Sequence, residues 1–196
     1  MNSAELLKLK EEVINCRKCG LYHFRQHSVF GEGNFNANVF IIGEAPGEEE
    51  DATGRPFVGR SGQLLDKILA ASGFSRDEHV FISSIIKCHP PDNRLPTDQE
   101  AQVCMPLLMK QIELINPGIM VTLGATALKY MTGKNLKITQ MHGQWMEWQD
   151  RLLMPVYHPA ALLRNPILKR DTWEDFKKIV VKYRELVNPN HYSAHV

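Results

Sequence analysis

The four cysteines of this chain are the feature that most constrains how it can fold. Cys16 and Cys19 form a C-x-x-C pair near the amino terminus, and Cys88 and Cys104 lie far along the chain. Four thiolates are the number that fills a tetrahedral zinc site or holds a [4Fe–4S] cluster. We therefore interpret the cysteines as one shared metal site that joins the amino-terminal segment to the middle of the chain.

Three other interpretations of the cysteines remain open. They can form two disulfides, but the first residues do not resemble a secretory signal, and structural disulfides are uncommon in the cytosol. A thioredoxin-like C-x-x-C normally opens a helix after a strand, whereas this pair follows a charged helical stretch. The thiols can also be four unrelated buried side chains. We expect a cytosolic protein with no membrane-spanning segment.

Length and composition favour a single α/β domain. The chain has 196 residues, of which 43% are hydrophobic, and a formal net charge of +1. We expect one domain over residues 1–187, whereas residues 188–196 lose the hydrophobic period and are predicted to be a flexible tail. Because the net charge is close to zero, only local basic clusters can support binding to a nucleic acid.

Predicted strands and helices alternate along the chain. Buried strands are expected at 39–42, 80–86, 119–123 and 151–157, and helices at 4–15, 63–71, 98–115, 125–131 and 172–187. This order predicts a three-layer αβα fold with a mostly parallel, four-stranded central sheet flanked by helices. Ligands bind beyond the carboxyl ends of the strands in such sheets, and unusual loops follow three of these four strands.

The loop after the first predicted strand, GEAPGEEEDATGRPFVGRSG, is rich in glycine and proline. Glu44 follows that strand directly, where backbone amides can hold a carboxylate and aim it into a cleft. Phe57 stands among prolines and glycines, so it either lines the cleft wall or packs onto the core as a plug. The acidic run at 48–51 is typical of a solvated face or a first helical turn. The loop matches neither the phosphate-loop nor the dinucleotide-binding pattern, which disfavours those functions.

Seven motifs occur in an order that resembles a known family. They are C-x-x-C at 16–19, FGEGN at 30–34, GEAPGEEED at 43–51, TGRPFVG at 53–59, KCHPPDNR at 87–94, Cys104, and HPAALLRNP at 158–166. From about residue 16 to about residue 176 the chain resembles the family-4 uracil-DNA glycosylases, the iron–sulfur group of the uracil-DNA glycosylase superfamily. The resemblance implies a DNA-repair enzyme that hydrolyses the N-glycosidic bond of uracil and leaves an abasic site. It also implies that the four cysteines bind a [4Fe–4S] cluster rather than zinc.

The same resemblance implies roles for residues of the base pocket. Such enzymes flip the base out of the DNA before they act on it. Glu44, with the backbone of Gly43 and Ala45, would line the pocket and organise or polarise the attacking water, and Phe57 would stack on the base. His158 would stabilise negative charge on the departing base. Taken alone, a histidine before a proline is equally typical of a capping or packing role.

Contacts with DNA are implied for two groups of residues. Leu163, within the ALLR stretch at 161–164, would press on the minor groove and fill the gap that the base leaves. Candidates for phosphate contact, each of which can also be an ordinary surface residue, are Ser61, Lys87, Arg94, Arg164 and Lys169. We expect the partner to be single- or double-stranded DNA with a damaged base, and the protein to be a monomer in a bacterial or archaeal cytosol.

One position departs from the pattern of the family. Members have an asparagine four residues before the third cysteine, and its amide reads the edge of uracil, but this chain has Ser84 there. A hydroxyl is shorter than an amide and provides a single donor. The sequence therefore leaves three alternatives to strict uracil excision: a glycosylase for another base such as hypoxanthine, a weakly active or non-catalytic iron–sulfur DNA-binding protein, and a zinc-stabilised hydrolase of a nucleotide-sized substrate.

Overall fold

The structure of the protein is a computed structural model that describes residues 2–196. Its strands are β1 (Glu32–Gly33), β2 (Val39–Gly43), β3 (Val80–Ser84), β4 (Ile119–Leu123), β5 (Met146–Trp148) and β6 (Arg151–Val156). Its α-helices are α1 (Asn2–Ile14), α2 (Glu48–Thr53), α3 (Arg60–Ala71), α4 (Asp98–Ile115), α5 (Gly124–Thr132), α6 (Ile138–Met141), α7 (Pro159–Arg164) and α8 (Leu168–Leu186). The strands form one sheet in the order β1-β3-β2-β4-β6-β5.

The four central strands are those that the sequence predicts, and they are parallel. β2 pairs with β3 and with β4, and β4 pairs with β6. The short strands β1 and β5 add one antiparallel strand at each edge. The α/β class is therefore confirmed. The sheet has two more strands than predicted, and these two were missed because two or three residues are too few to show an alternating pattern.

Alternate residues of the central strands point to two different hydrophobic cores. Phe40, Ile42 and Met120 pack in one core with buried residues of α1, α4 and α5. Ile41 and Val121, from the same strands, pack in the other core with buried residues of α3 and α8. The period of two in a strand produces this division and covers both faces of the sheet with helices. In the described range, residues 2–196, no helix is long and apolar enough to cross a membrane.

Residues 188–196 lie against the domain, which differs from the flexible tail that the sequence predicts. His191 and Ser193 are buried. The His191 ring stacks on Phe74 with 4.6 Å between centroids, and the Ser193 hydroxyl donates to the carbonyl of Ala71 at 3.0 Å. Arg184 of α8 donates to the carbonyl of His191 at 2.9 Å. These contacts involve single side chains without periodicity, so hydrophobic patterning does not reveal them.

Candidate active site and cysteine cluster

The carboxyl ends of the parallel strands bring the candidate residues together. Gly43 ends β2 and Ser84 ends β3, and the two residues are register partners. The N–H of Ile86 donates to the carbonyl of Glu44 at 3.2 Å, so pairing continues past the strands and fixes the backbone of Glu44. His158 follows β6 and caps α7. Three separate loops thus place their side chains at one edge of the sheet, as expected for a parallel sheet.

A small pocket of about 130 Å³ lies at this edge. Phe57, Ser84, His158 and Ala45 are among the residues that line it, and Ser61 also faces it. The volume is roughly four times the ~30 Å³ that a water molecule occupies in the liquid, which suits one flat ring. The rings of Phe57 and His158 lie 5.8 Å apart between centroids with an angle of 36° between their planes.

Gly43 allows the ring of Phe57 to lie directly on the strand end. A Cβ atom at position 43 would be 2.6 Å from Cζ of Phe57. Any side chain there would therefore displace the ring. Phe57 is only 8% exposed and packs with the core around α3, so it both joins the core and forms one wall of the pocket. The two interpretations of Phe57 from the sequence are compatible in this geometry.

A larger, more open groove of about 480 Å³ adjoins the pocket. Glu44, Asn93, Leu95 and Arg164 are among its lining residues. His158 lines both the groove and the pocket, so it stands at their junction. The Glu44 carboxylate therefore faces an opening that is continuous with solvent, where a water molecule can reach it.

Hydrogen bonding determines the tautomer of His158. The N–H of Ala160 donates to Nδ1 of His158 at 3.1 Å, so Nδ1 is the acceptor and Nε2 carries the proton of a neutral ring. Burial and, to a smaller extent, the positive charge of Arg164 lower the pKa of His158 to about 4, against an opposing effect of Glu50. The ring is therefore neutral at pH 7 and offers Nε2–H as a hydrogen-bond donor.

Ser84 has a free hydroxyl at the pocket. The residue is buried, and its carbonyl accepts from the Lys87 ammonium at 2.8 Å. Among residues 2–196, no protein group bonds its hydroxyl. A side-chain atom of Ser84 lies 3.2 Å from the position of a Cβ on Gly43, so the hydroxyl sits beside the floor of the pocket. Its donor is available to a bound base.

The acidic run at 48–51 forms the first turn of α2, which confirms one interpretation from the sequence; Glu48 and Glu49 are exposed, whereas Glu50 and Asp51 turn inward. Oε1 of Glu50 accepts from the N–H groups of Val58 at 2.8 Å and Gly59 at 2.9 Å, and its Oε2 accepts from the N–H of Gly47 at 3.0 Å. Asp51 is buried and accepts from the N–H of Gln26 at 2.9 Å. Sequence reasoning missed these roles because a run of like charges does not show which member turns inward.

Lys87 is not a phosphate contact in this structure, which corrects the sequence prediction. Its side chain is 2% exposed and donates to the Ser83 hydroxyl at 2.5 Å, the Ser84 carbonyl at 2.8 Å and Gln111 Oε1 at 2.7 Å. Burial lowers the pKa of Lys87 to about 8. An ammonium with three internal acceptors instead ties the end of β3 to α4.

The other predicted DNA contacts are on the surface. Leu163, on the outer side of α7, is 37% exposed, whereas its neighbour Leu162 is fully buried. Arg94 donates to both carboxylate oxygens of Glu100, at 2.9 and 2.7 Å, and this contact lowers the pKa of Glu100 to about 2. Lys169 is exposed in the first turn of α8. The structure leaves these three side chains accessible to a partner.

The four cysteines converge on one small cavity. Cys16 and Cys19 follow α1, Cys88 follows β3 and Cys104 lies in α4, and all four are free cysteines that line the same space. Across residues 2–196, no three His, Cys, Asp or Glu side chains are grouped to hold a single metal ion. Burial raises the pKa of the Cys104 thiol to about 11, so a bound metal would have to displace that proton.

Three basic side chains surround the cysteine cavity. Arg25, Lys18 and Lys87 all line it. Nη1 of Arg25 donates to Sγ of Cys88 at 3.0 Å, and Nη2 donates to the carbonyl of Cys16 at 3.0 Å. Four thiolates around a cluster carry net negative charge, which cations at this distance stabilise. The donor set and its surroundings fit an iron–sulfur cluster with four cysteine ligands.

The pocket lies within a segment that matches a known family. Residues 30–177 match the model of the uracil DNA glycosylase superfamily. The chain belongs to this superfamily. It is 45% identical to the Type-4 uracil-DNA glycosylase of Sulfurisphaera tokodaii over 203 residues, which cover 98% of this chain and 89% of that protein. It is also 45% identical to the Type-4 uracil-DNA glycosylase of Thermotoga maritima over 179 residues, which cover 89% and 93% respectively.

The superfamily match contains the four candidate residues of the site but only half of the cysteine site. Glu44, Phe57, Ser84 and His158 all lie within residues 30–177, whereas Cys16 and Cys19 precede them. A further relative, a DNA polymerase of Bacillus phage SP01, is 34% identical over 156 residues, which are 80% of this chain and 16% of that protein. The segment similar to this chain is thus a small part of a much longer polypeptide.

Proposed function

We propose that this protein is a DNA-repair glycosylase that removes uracil from DNA by hydrolysis and leaves an abasic site. The observation that supports this most is the junction at His158, where a ring-sized pocket meets an open groove that contains a carboxylate. The pocket is suited to a base, and the groove is suited to the sugar and the attacking water. The names of the relatives, Type-4 uracil-DNA glycosylases, agree with this proposal.

Recognition begins with a base that has left the duplex. A base within a helix is inaccessible, so the uracil has to be flipped into the pocket. Phe57 would stack on one face of the ring, which contributes about 1–3 kcal/mol for a typical base on an aromatic side chain. The Ser84 hydroxyl, which has no partner among residues 2–196, would donate to a carbonyl oxygen of the base. Ala45 and the backbone around Gly43 would complete the wall.

The reaction breaks the bond between C1′ of deoxyribose and N1 of uracil. The bonding electron pair leaves with the base, so negative charge develops on its carbonyl oxygens. Nε2–H of neutral His158 would donate a hydrogen bond to that charge, which stabilises the transition state more than the ground state. Glu44 would orient the water that attacks C1′ and accept its proton.

The four cysteines are proposed to hold a [4Fe–4S] cluster. Bound there, the cluster would supply covalent links between the segment after α1, the loop after β3 and α4. The contribution of the chain is the cavity itself and the cation Arg25, which bonds Cys88 at 3.0 Å. The cluster is separate from the pocket lining, so its proposed role is to hold the structure together.

Altered base specificity is a second candidate, and Ser84 is the observation that favours it. A hydroxyl cannot offer a donor and an acceptor in the fixed geometry of an amide. The pocket would then select bases by shape and stacking more than by edge contacts. Hypoxanthine, which has a carbonyl group beside a ring N–H as uracil has, is the alternative substrate to examine.

The experiment is incubation of the purified protein with oligonucleotides that contain one uracil, hypoxanthine or xanthine, followed by alkaline cleavage at abasic sites. We expect cleavage at uracil, with weaker cleavage at hypoxanthine if Ser84 has relaxed the specificity. A Phe57→Ala variant serves as the control for activity at the pocket. Absence of cleavage with all three bases, from protein that contains iron, would refute the proposal.

A further inference from the structure

The backbone of Phe57 has a conformation that is unusual for a bulky residue. Its φ is 53°, in the left-handed region that residues other than glycine rarely adopt. A bulky residue keeps such a conformation only where the surrounding structure imposes it, and such positions cluster at functional sites. The residue that is strained here is the one proposed to stack on the base. The contacts that hold this backbone therefore bear directly on the geometry of the pocket.

Arg76, which lies outside the pocket, binds the backbone of Phe57 from behind. Its Nη2 donates to the carbonyl of Phe57 at 2.6 Å, and its Nη1 donates to the carbonyl of Pro56 at 2.7 Å. Nε of the same guanidinium donates to Oδ1 of Asp66 on α3 at 2.8 Å, and Nη1 lies 3.6 Å from Oε1 of Glu32. The Arg76 side chain is 13% exposed, so these contacts are largely shielded from solvent.

Arginine is the side chain that this arrangement requires. The guanidinium is planar, and its donors point in fixed directions, so it can bind two successive carbonyls and a carboxylate at the same time. A lysine at position 76 would place one compact charge there and could not span the same acceptors. The two carbonyls that Arg76 binds flank the α-carbon of Phe57, so they fix the direction in which its side chain leaves the backbone.

The opposite side of the loop is fixed by Glu50 and by α3. Glu50 accepts from the N–H groups of Val58 and Gly59, the two residues that follow Phe57. A Cβ at Gly62 would lie 1.8 Å from the carbonyl oxygen of Phe57, so α3 packs directly on this peptide unit. Arg76 thus binds the carbonyls of Pro56 and Phe57, and the oppositely charged Glu50 binds the amides of the two residues that follow. These contacts restrain φ of Phe57 from both sides.

We propose that Arg76 is a positioning residue for base recognition, which acts by holding Phe57 in its left-handed conformation so that the ring forms the wall of the pocket. Arg76 lines neither the pocket nor the groove, so it acts on the base through Phe57. This inference rests on the proposed function, because it assigns to Arg76 an effect on the affinity of the same pocket for the base. It predicts that replacing Arg76 weakens base binding without removing any group that touches the base.

The test is a double-mutant cycle with Arg76→Gln, Phe57→Ala and the double variant, measured on single-stranded DNA that contains uracil. Arg76→Gln should lower kcat/KM by about 10- to 100-fold, the loss typical of a catalytic geometry displaced by a remote change. It should also raise the inhibition constant of free uracil. In the Phe57→Ala background, Arg76→Gln should change kcat/KM by less than about twofold, because the ring through which it acts is absent. Equal losses in both backgrounds, or no loss in either, would overturn the proposal.

Two further variants separate positioning from folding. Arg55→Gln is the matched control, because Arg55 also binds Glu32, at 2.6 and 2.9 Å, but bonds neither carbonyl of the loop. It should leave kcat/KM unchanged. Arg76→Lys keeps the positive charge beside Asp66 and Glu32 and should lose most of the activity that Arg76→Gln loses. Full rescue by lysine would show that charge alone matters and would contradict the positioning role.

Hydrogen–deuterium exchange tests the inference without any turnover. The peptide that covers residues 56–62 should exchange faster in Arg76→Gln than in the wild type, whereas Arg55→Gln should match the wild type. Unchanged exchange in Arg76→Gln would show that Arg76 does not hold the loop. If the wild type releases no uracil, the proposed function fails, and the exchange comparison still decides whether Arg76 fixes Phe57.

Discussion

At the scale of single residues, the proposed chemistry depends on His158 being neutral. Burial, with the charge of Arg164, lowers its pKa from 6.5 to about 4. Between these two values the unfolded chain binds a proton that the folded protein excludes, so folding stability falls as the pH decreases through this window. The stabilising effect of a neutral His158 is fully present above pH 6.5 and is lost as the pH approaches 4.

The corresponding prediction concerns the titration of the His158 ring. Histidine NMR spectra of the wild type, assigned with a His158→Asn variant, should show no titration of His158 between pH 8 and pH 5.5. The chemical shifts should identify the tautomer with the proton on Nε2, because Ala160 donates to Nδ1 at 3.1 Å. A midpoint near 6.5 would mean that the ring is accessible to water and charged in part at physiological pH.

Ser84 gives the second prediction at this scale. Ser84→Asn should raise turnover on uracil, because an amide can donate to and accept from the edge of the base. A bidentate contact contributes about 1–3 kcal/mol of discrimination, which corresponds to roughly 5- to 150-fold in rate.

The Ser84→Asn experiment needs two comparisons. Ser84→Ala removes the hydroxyl without adding volume and should lower activity on uracil. Activity on hypoxanthine should fall in Ser84→Asn, because the amide is matched to the edge of a pyrimidine. A slower Ser84→Asn enzyme with a lowered melting temperature would indicate overpacking of the strand end instead.

The residues that sequence could not assign are those whose partners lie far along the chain. Glu44, Phe57 and His158 lie in sequence motifs, and the resemblance of these motifs to the family indicates the role of each residue. Lys87 also lies in a motif, but its acceptor Gln111 is on α4, so a local sequence pattern does not show that Lys87 is buried. Arg76 belongs to none of the motifs. Its proposed role depends on the loop that packs against it, which its neighbours in the sequence do not indicate.

At the scale of secondary-structure elements, α7 is the helix that we expect to contact the minor groove of DNA. Leu163 is 37% exposed on this short helix, and Arg164 beside it lines the groove. Leu163→Ala should reduce activity on uracil paired in a duplex more than on uracil in a single strand, because only the duplex has a gap to fill. Equal losses on both substrates would remove the wedge role.

The matched control for Leu163→Ala is Leu186→Ala. Leu186 is an exposed leucine at the end of α8, and it lines neither the pocket nor the groove. The ratio of activity on single-stranded to double-stranded substrate should stay at the wild-type value in this variant. A change in that ratio would indicate that the measurement reports general surface hydrophobicity rather than contact at the minor groove.

The contact between α1 and α4 changes what is expected of the cysteine site. In the sequence, the shared cysteine site is the one link identified between the amino-terminal segment and the middle of the chain. In the structure, Leu6, Leu9 and Val13 of α1 are buried in the core that α4 also forms. The helix is therefore held by hydrophobic packing as well as by any bound cluster.

Cys88→Ala should accordingly abolish iron binding and absorbance near 400 nm while the chain remains folded. The melting temperature should fall by about 2–4 °C for each kcal/mol of ligation energy that is lost. Val103→Ala, which truncates a non-ligating residue that lines the same cavity, should keep its iron. Full iron content in Cys88→Ala would contradict the proposed ligand set.

At the scale of the whole molecule, the sequence predicts the central parallel sheet well. Strands buried on both faces are continuous apolar runs, such as Val39 to Ile42, and such runs are visible without a structure. The edge strands β1 and β5 are short and only half-buried, so they lack this signal. Residues 188–196 pack through single contacts, such as the His191 ring against Phe74 and the Ser193 hydroxyl on the carbonyl of Ala71, which no periodicity predicts.

The central proposal is that the protein releases uracil from DNA in the pocket beside His158. The most direct measurement is mass spectrometry of the products from a duplex that contains one uracil. We expect one free uracil per duplex, an abasic strand that stays intact until alkali is added, and a large loss of both products in the Phe57→Ala variant. Absence of free uracil, or release that is the same without Phe57 and His158, would contradict the proposed function.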